Sequence, residues 1–144
     1  MEKAIHASGT TAMTSLFVNG TLMRGLPLHR NISTAIFVSE AFTGPYYRLH
    51  SIRDVHPGMY GVESCGARIA GELYLVTAAQ REHIVRTEPP GLYLGLVVLE
   101  DGRTVEGVLY PEDLARAERD ITGYGGWRAY LVAMKPVVMS ERSA

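Results

Sequence analysis

A short polar turn near the amino terminus has the residue types that could bind an anion. Residues 16–18 are apolar and predict a buried strand, and Asn19, Gly20 and Thr21 follow directly. Asn and Gly tolerate the positive φ values of tight turns, and successive N–H groups after such a turn can converge on one point. Arg24 could add a charged donor for a carboxylate. The turn alone favours the simpler interpretation, an ordinary β-turn at a strand end.

The histidines and the cysteine form no recognisable metal-binding or catalytic site in the sequence. The five histidines lack metal-ligand spacing, and His50 and His56 are too loosely placed to indicate a site. The single cysteine, Cys65, has no partner for an intramolecular disulfide and lies in a predicted loop without a nearby base. We therefore expect neither a bound metal nor a catalytic thiol.

The pattern around the turn predicts mainly strands, which alternate in polarity or are short and apolar. The predicted strands cover residues 16–18, 35–38, 46–52, 71–76, 92–99 and 103–110. Thr77 predicts the N-cap of a helix over residues 78–86, and Pro111 begins a helical stretch over residues 112–119. Prolines and glycines predict a loop over residues 57–66.

In this order of elements, sequence signals for β-hairpins are more frequent than signals for strand–helix–strand units. Asp101-Gly102, between two predicted strands, is the strongest of them. We therefore predict an α+β fold, in which a small, mixed, mostly antiparallel β-barrel carries two or three short helices.

Length and charge narrow the functional class. The 144 residues suit one domain over residues 15–136, after a loose leader (1–14) and before a tail (137–144). A formal net charge of −1 gives no electrostatic footprint for nucleic acid, and no apolar run has the length of a membrane span. The mixed leader lacks a signal-peptide pattern, so we expect a cytoplasmic enzyme. The oligomeric state is left open, a homodimer included.

The turn resembles the glycine loop of the gamma-glutamylcyclotransferase-like (AIG2-like) superfamily. That loop is written as apolar or aromatic residues followed by Tyr-Gly-Ser/Thr-Leu, and this chain has Asn19 in place of the Tyr. The resemblance implies that backbone N–H groups of Gly20, Thr21 and Leu22 hold a substrate carboxylate, with Asn19 and Arg24 as further substrate-binding residues.

The same resemblance implies an acid/base carboxylate. The segment at Glu88 corresponds to the family's Leu-Asp-x-x-Glu-Gly, in which the Glu is catalytic, although Val85 and Pro89 replace the Asp and the Gly. Glu72, in an otherwise apolar strand, is the second candidate. For each carboxylate the alternative is a solvated side chain.

A second resemblance, to the allophanate hydrolase C-terminal domain, is locally sharper. Residues 120–130 are similar to the end of that domain, and Tyr47-Arg48 resembles its tyrosine-arginine strand. This chain has Thr21 where that domain carries a loop His. Tyr47 and Arg48 could line the cleft, although Arg48 could equally be an exposed strand residue, and Tyr130 could orient a substrate through its hydroxyl.

These resemblances leave three functions open. The first is release of 5-oxoproline from a γ-glutamyl amide, with Glu88 as the acid/base and no cofactor or metal. The second is the action of a stand-alone relative of the allophanate hydrolase domain on a carboxylated, urea-derived product, namely carbon dioxide release from N-carboxycarbamate. The third is a non-catalytic binding module. Either reaction implies a small-molecule substrate with a free carboxylate as the partner.

Overall fold

The computed structural model describes residues 12–135, so the leader before residue 12 and the tail from residue 137 lie outside the described residues. The helices and strands follow one another along the chain as a mixture of hairpins and short helices. They are β1 (Met13–Val18), β2 (Ile36–Phe42), β3 (Tyr47–Ile52), β4 (His56–Gly61), β5 (Ala70–Thr77), α1 (Ala78–Thr87), β6 (Tyr93–Val98), β7 (Thr104–Leu109), α2 (Glu112–Ala115), β8 (Arg119–Asp120) and α3 (Trp127–Met134). The predicted α+β class with three short helices is confirmed.

The strands form two sheets. The larger has the order β2-β5-β1-β7-β6 and the smaller the order β4-β3-β8. β1 pairs antiparallel with β5 and parallel with β7, while the remaining neighbours are antiparallel. The larger sheet is therefore mixed and mostly antiparallel, as predicted.

The barrel is not closed. The edge strands β2 and β6 meet only at their ends, where Thr43 and Leu99 form a single antiparallel bridge. Two further backbone bonds support it, from Gly44 N–H to the Val98 carbonyl (2.9 Å) and from Glu100 N–H to the Phe42 carbonyl (3.0 Å).

Strand β1 is the centre of the core. Leu16, Phe17 and Val18 are fully buried, because β1 is hydrogen-bonded on both sides and covered on its faces. The strand begins at Met13, inside the expected leader. The polar turn follows directly after Val18, the last residue of β1, so the buried half of this strand sets the position of the turn.

The predicted loop over residues 57–66 is wrong in its first part, because residues up to Gly61 belong to strand β4. It pairs with β3 through a turn in which Arg53 and Asp54 both have positive φ, 54° and 61°. Such a turn suits a tight hairpin, but Arg-Asp is not its usual sequence. Pro57 is tolerated because β4 is an edge strand of the smaller sheet.

The helices agree with the sequence in part. Thr77 caps α1 in a capping box with Gln80, as its type predicts. Helix α2 ends at Ala115, earlier than expected, because the chain turns back to pair Arg119 and Asp120 with β3. Helix α3 was not predicted; it buries Trp127 and Tyr130 against the core.

Candidate functional site

The turn after β1, residues 19–22, is buried and held in place by its side chains. We call these residues the glycine loop. Asn19 is 2% exposed, and its Nδ2 donates to the Val108 carbonyl (3.1 Å) and lies 3.4 Å from Met59 Sδ. These contacts attach the loop to β7 and β4. Gly20 packs so closely on β4 that a Cβ there would lie 2.7 Å from Pro57 Cδ, so only glycine fits.

The glycine loop has backbone donors without acceptors. The turn is closed by Met23 N–H, which donates to the Gly20 carbonyl at 3.0 Å. Within residues 12–135, the N–H groups of Gly20, Thr21 and Leu22 donate to no protein acceptor. Three consecutive donors without partners in a buried loop form a site that a carboxylate would satisfy.

Glu88 lies near this loop in space and comes directly after α1. Its N–H donates to the Ile84 carbonyl (3.0 Å), which fixes its backbone as the helix ends. The side chain is half-buried, and no ion pair or hydrogen bond to its carboxylate is formed within the described residues. Burial raises the pKa of Glu88 to about 7. Near neutral pH the carboxyl group can therefore either give or accept a proton.

One narrow pocket brings these groups together. About 10 Å³ of it is open to a water-sized sphere, and about 230 Å³ is unfilled when its open mouth is included. Its lining residues are Val18, Asn19, Gly20, Thr21, Leu22, His56, Pro57, Glu88, Leu92 and Val108. Four of the residues expected to bind substrate and the expected acid/base thus share one pocket, and Glu88 lines it rather than pointing into open solvent.

His56 also lines this pocket, although sequence analysis had set it aside. Its ring is buried and stacks edge-on against Tyr110 at a centroid distance of 5.7 Å. Burial lowers the pKa of His56, and the ring Nδ1 lies 2.9 Å from the Pro57 carbonyl oxygen. No spacing in the sequence connects His56 with Glu88, because the pocket forms only when β4 packs beside the glycine loop.

Glu72 and Arg24 lie in a separate ionic cluster. The Glu72 carboxylate accepts from the Arg24 backbone (3.0 Å) and Nε (3.1 Å), from Tyr74 Oη (3.0 Å) and from Arg128 Nη2 (3.2 Å). Burial alone would raise its pKa, but these hydrogen bonds and the Arg24 charge outweigh burial and lower it. Glu72 is thus a fully hydrogen-bonded structural carboxylate, and the Arg24 side chain is engaged in an ion pair with it.

Three other expected substrate-binding residues also lie outside the pocket. Tyr47 Oη accepts a hydrogen bond from Val98 N–H (2.8 Å), and Arg48 pairs with Asp120 (2.6 Å). Tyr130 Oη donates to Asp54 at 2.6 Å. Each of these side chains links two parts of the fold. Its position is set by strand pairing and helix packing and not by its residue type.

Two structural features bear on the wider function classes. Within the described part of the chain, no group of three or more His, Cys, Asp or Glu side chains is arranged to hold a metal ion. None of the helices in that part is both long and apolar enough to cross a membrane.

Comparison with known proteins identifies the relationship. The family described as "Allophanate hydrolase C-terminal domain" matches residues 14–132. The urea amidolyase of Saccharomyces cerevisiae is 31% identical over 129 residues, which are 83% of this chain and 7% of that protein. The chain therefore spans a small fraction of the length of this curated relative.

Solved structures agree with this result. A uropathogenic E. coli-specific protein superposes with a TM-score of 0.81 and 41% identity, covering 86% of this chain and 99% of that chain. The Kluyveromyces lactis allophanate hydrolase superposes with a TM-score of 0.79 and 28% identity, covering 86% of this chain and 22% of that chain. The predicted resemblance to the allophanate hydrolase C-terminal domain is confirmed.

The resemblance to AIG2-like proteins is confirmed as a shared fold. An AIG2-like protein from Mus musculus superposes with a TM-score of 0.55 and 23% identity, over 71% of this chain and 78% of that chain. At this identity the likeness concerns the fold alone.

Proposed function

The chain belongs to the allophanate hydrolase C-terminal domain family, and from this premise we propose that it is an enzyme that releases carbon dioxide from a small, carboxylated, urea-derived substrate such as N-carboxycarbamate. The observation that carries the proposal is the narrow pocket that is lined both by the glycine loop, whose N–H groups have no protein acceptor within residues 12–135, and by Glu88, whose pKa burial raises to about 7. The expected cytoplasmic location stays a prediction.

The size of the pocket favours a small substrate. Only about 10 Å³ of it is open to a water-sized sphere, far below the range of about 300–1,000 Å³ that drug-sized ligands occupy. N-carboxycarbamate consists of two carboxylates joined by one N–H, so it is among the smallest substrates that offer both an anion and a nitrogen to protonate.

The pocket suits decarboxylation chemically. The N–H groups of Gly20, Thr21 and Leu22 hold the carboxylate that is retained. The protonated Glu88 carboxyl donates its proton to the substrate nitrogen while the bond between this nitrogen and the departing carboxylate breaks. The electron pair of that bond stays on nitrogen, carbon dioxide leaves, and carbamate remains. Glu88 regains its proton from water.

The apolar part of the lining assists the same step. Val18, Leu92 and Val108 offer no hydrogen bonds from their side chains to a carboxylate. A carboxylate placed against them loses solvation, which its conversion to neutral carbon dioxide relieves. The loop and the apolar wall therefore distinguish the carboxylate that stays from the one that leaves.

The test is carbon dioxide release in the presence of a separate amidase that generates N-carboxycarbamate from allophanate. We expect the protein to accelerate release above the rate with amidase alone, and Glu88→Gln to lower kcat by about 10²–10⁴-fold. Glu82→Gln, an exposed carboxylate on α1, is the matched control and should retain full activity. Full activity of Glu88→Gln in a folded protein contradicts the assignment.

Release of 5-oxoproline from a γ-glutamyl amide is the second candidate. It is favoured by Glu88, whose pKa of about 7 suits a group that takes a proton from the attacking amine and returns it to the leaving amine. A mass-spectrometric screen against γ-glutamyl amines and amino acids separates the two reactions. If neither product forms, the chain is a non-catalytic binding module.

A further inference from the structure

His56 lines the pocket and has one ring nitrogen, Nε2, that no protein group engages within the described residues. The Pro57 carbonyl oxygen can only accept, so the neutral ring carries its hydrogen on Nδ1 and leaves Nε2 as an acceptor. Nε2 has no protein partner within residues 12–135. In that part of the chain, Trp127 Nε1 is the only side-chain nitrogen or oxygen that is sealed from solvent without a hydrogen-bond partner. Nε2 must therefore reach free space, and His56 lines the pocket.

On the basis of the proposed function, we propose that His56 Nε2 accepts a hydrogen bond from the substrate N–H and thereby presents the substrate nitrogen to Glu88. The pocket then offers three different groups to one ligand: the donors of the glycine loop, the proton of Glu88 and the acceptor of His56. A ligand that carries a carboxylate beside an N–H satisfies all three. A carboxylate without an N–H leaves the His56 acceptor unpaired, which costs affinity.

The charges around His56 keep the ring neutral in the working pH range. Burial has the largest influence and lowers the pKa of His56, and the hydrogen bond to the Pro57 carbonyl raises it. Of the nearby charges, Arg53 in the turn before β4 lowers this pKa and Glu118 raises it. Glu88 lines the same pocket, and Tyr110 packs on the His56 ring. The acceptor is therefore lost at a lower pH than in an unperturbed histidine.

These two groups together predict a bell-shaped pH dependence of kcat/KM. Activity needs a neutral His56, which is lost on the acid side, and a protonated Glu88, which is lost above pH 7. The acid limb belongs to His56 and the alkaline limb to Glu88. A purely structural His56 would contribute no limb.

Two variants of His56 separate its roles. His56→Gln keeps an acceptor oxygen that does not titrate, whereas His56→Leu removes the acceptor. In the amidase-coupled assay, with the amidase-only rate subtracted at each pH, we expect kcat/KM of His56→Gln within about 3-fold of the wild type and that of His56→Leu lower by about 10-fold or more. The acid limb should disappear in His56→Gln while the alkaline limb remains. His83→Gln, on α1 and outside the pocket, is the control and should keep both limbs.

The outcomes distinguish this inference from the proposed function. An acid limb unchanged in His56→Gln, or a folded His56→Leu with wild-type kcat/KM, overturns the role of His56. Circular dichroism establishes that each variant is folded; if His56→Leu does not fold, the acid limb of His56→Gln decides alone. Absence of accelerated carbon dioxide release by the wild type, or full activity of Glu88→Gln, refutes the proposed function itself.

Discussion

Glu88→Gln should change how the stability of the fold depends on pH. Burial raises the pKa of Glu88 from 4.5 to about 7. Between these values the folded chain holds a proton that the unfolded chain has released, so the free energy of unfolding decreases as the pH rises. This loss of unfolding free energy is absent below pH 4.5 and complete above pH 7. At about 1.4 kcal/mol per pKa unit, it amounts to about 3 kcal/mol.

Urea unfolding of the wild type and Glu88→Gln, at a series of pH values on both sides of this interval, measures the effect. Gln cannot ionise, so the difference in free energy of unfolding between the two proteins isolates the titration of Glu88. We expect Glu88→Gln to gain about 3 kcal/mol relative to the wild type from the acid to the alkaline end. The exposed Glu82, on the same helix, supplies the control Glu82→Gln, which should show no such change.

If the difference in free energy of unfolding between wild type and Glu88→Gln does not change with pH, the reasoning is refuted. If the stabilities of wild type and Glu88→Gln run parallel within about 0.5 kcal/mol at every pH, Glu88 ionises as it does in water. Its carboxyl group is then solvated, and it cannot be the proton donor of a narrow pocket. A direct titration of the Glu88 carboxyl carbon by NMR gives the same decision independently.

Two further substitutions test the loop and the ionic cluster. Gly20→Ala should destabilise the fold by about 1–3 kcal/mol and abolish carbon dioxide release, because its Cβ would lie 2.7 Å from Pro57 Cδ; Gly123→Ala, with nothing within 4 Å of its Cβ, is the control in urea unfolding and activity assays. Glu72→Gln should cost about 2–3 kcal/mol in urea unfolding at pH 7. This deficit should shrink as the pH falls below 4.5, because the lowered pKa of Glu72 makes its contribution present above that value and lost in acid. Loss of activity in a folded Glu72→Gln would contradict the assignment of the acid/base role to Glu88.

Short sequence patterns correctly predicted those strands, caps and turns that depend on neighbouring residues alone. The apolar residues 16–18, the capping residue Thr77 and the Asp101-Gly102 turn each indicate their structure without help from the rest of the chain. Strand β4 escaped prediction because Pro57 and Gly58 are ordinary loop residues. They are tolerated in this strand only because it lies at a sheet edge and packs beside Tyr110.

The sequence by itself determined the family resemblance, the α+β class, the glycine loop and Glu88 as a candidate acid/base. Tertiary structure alone decided which other side chains join them. Arg24, Arg48 and Tyr130 have suitable chemistry but are occupied by partners 48, 72 and 76 residues away along the chain. His56 carries no signal in the sequence, yet the packing of β4 beside the glycine loop places it in the pocket. Residue type limits what a side chain can do, but burial and long-range pairing decide its pKa and its neighbours, and these arise only when distant segments pack together.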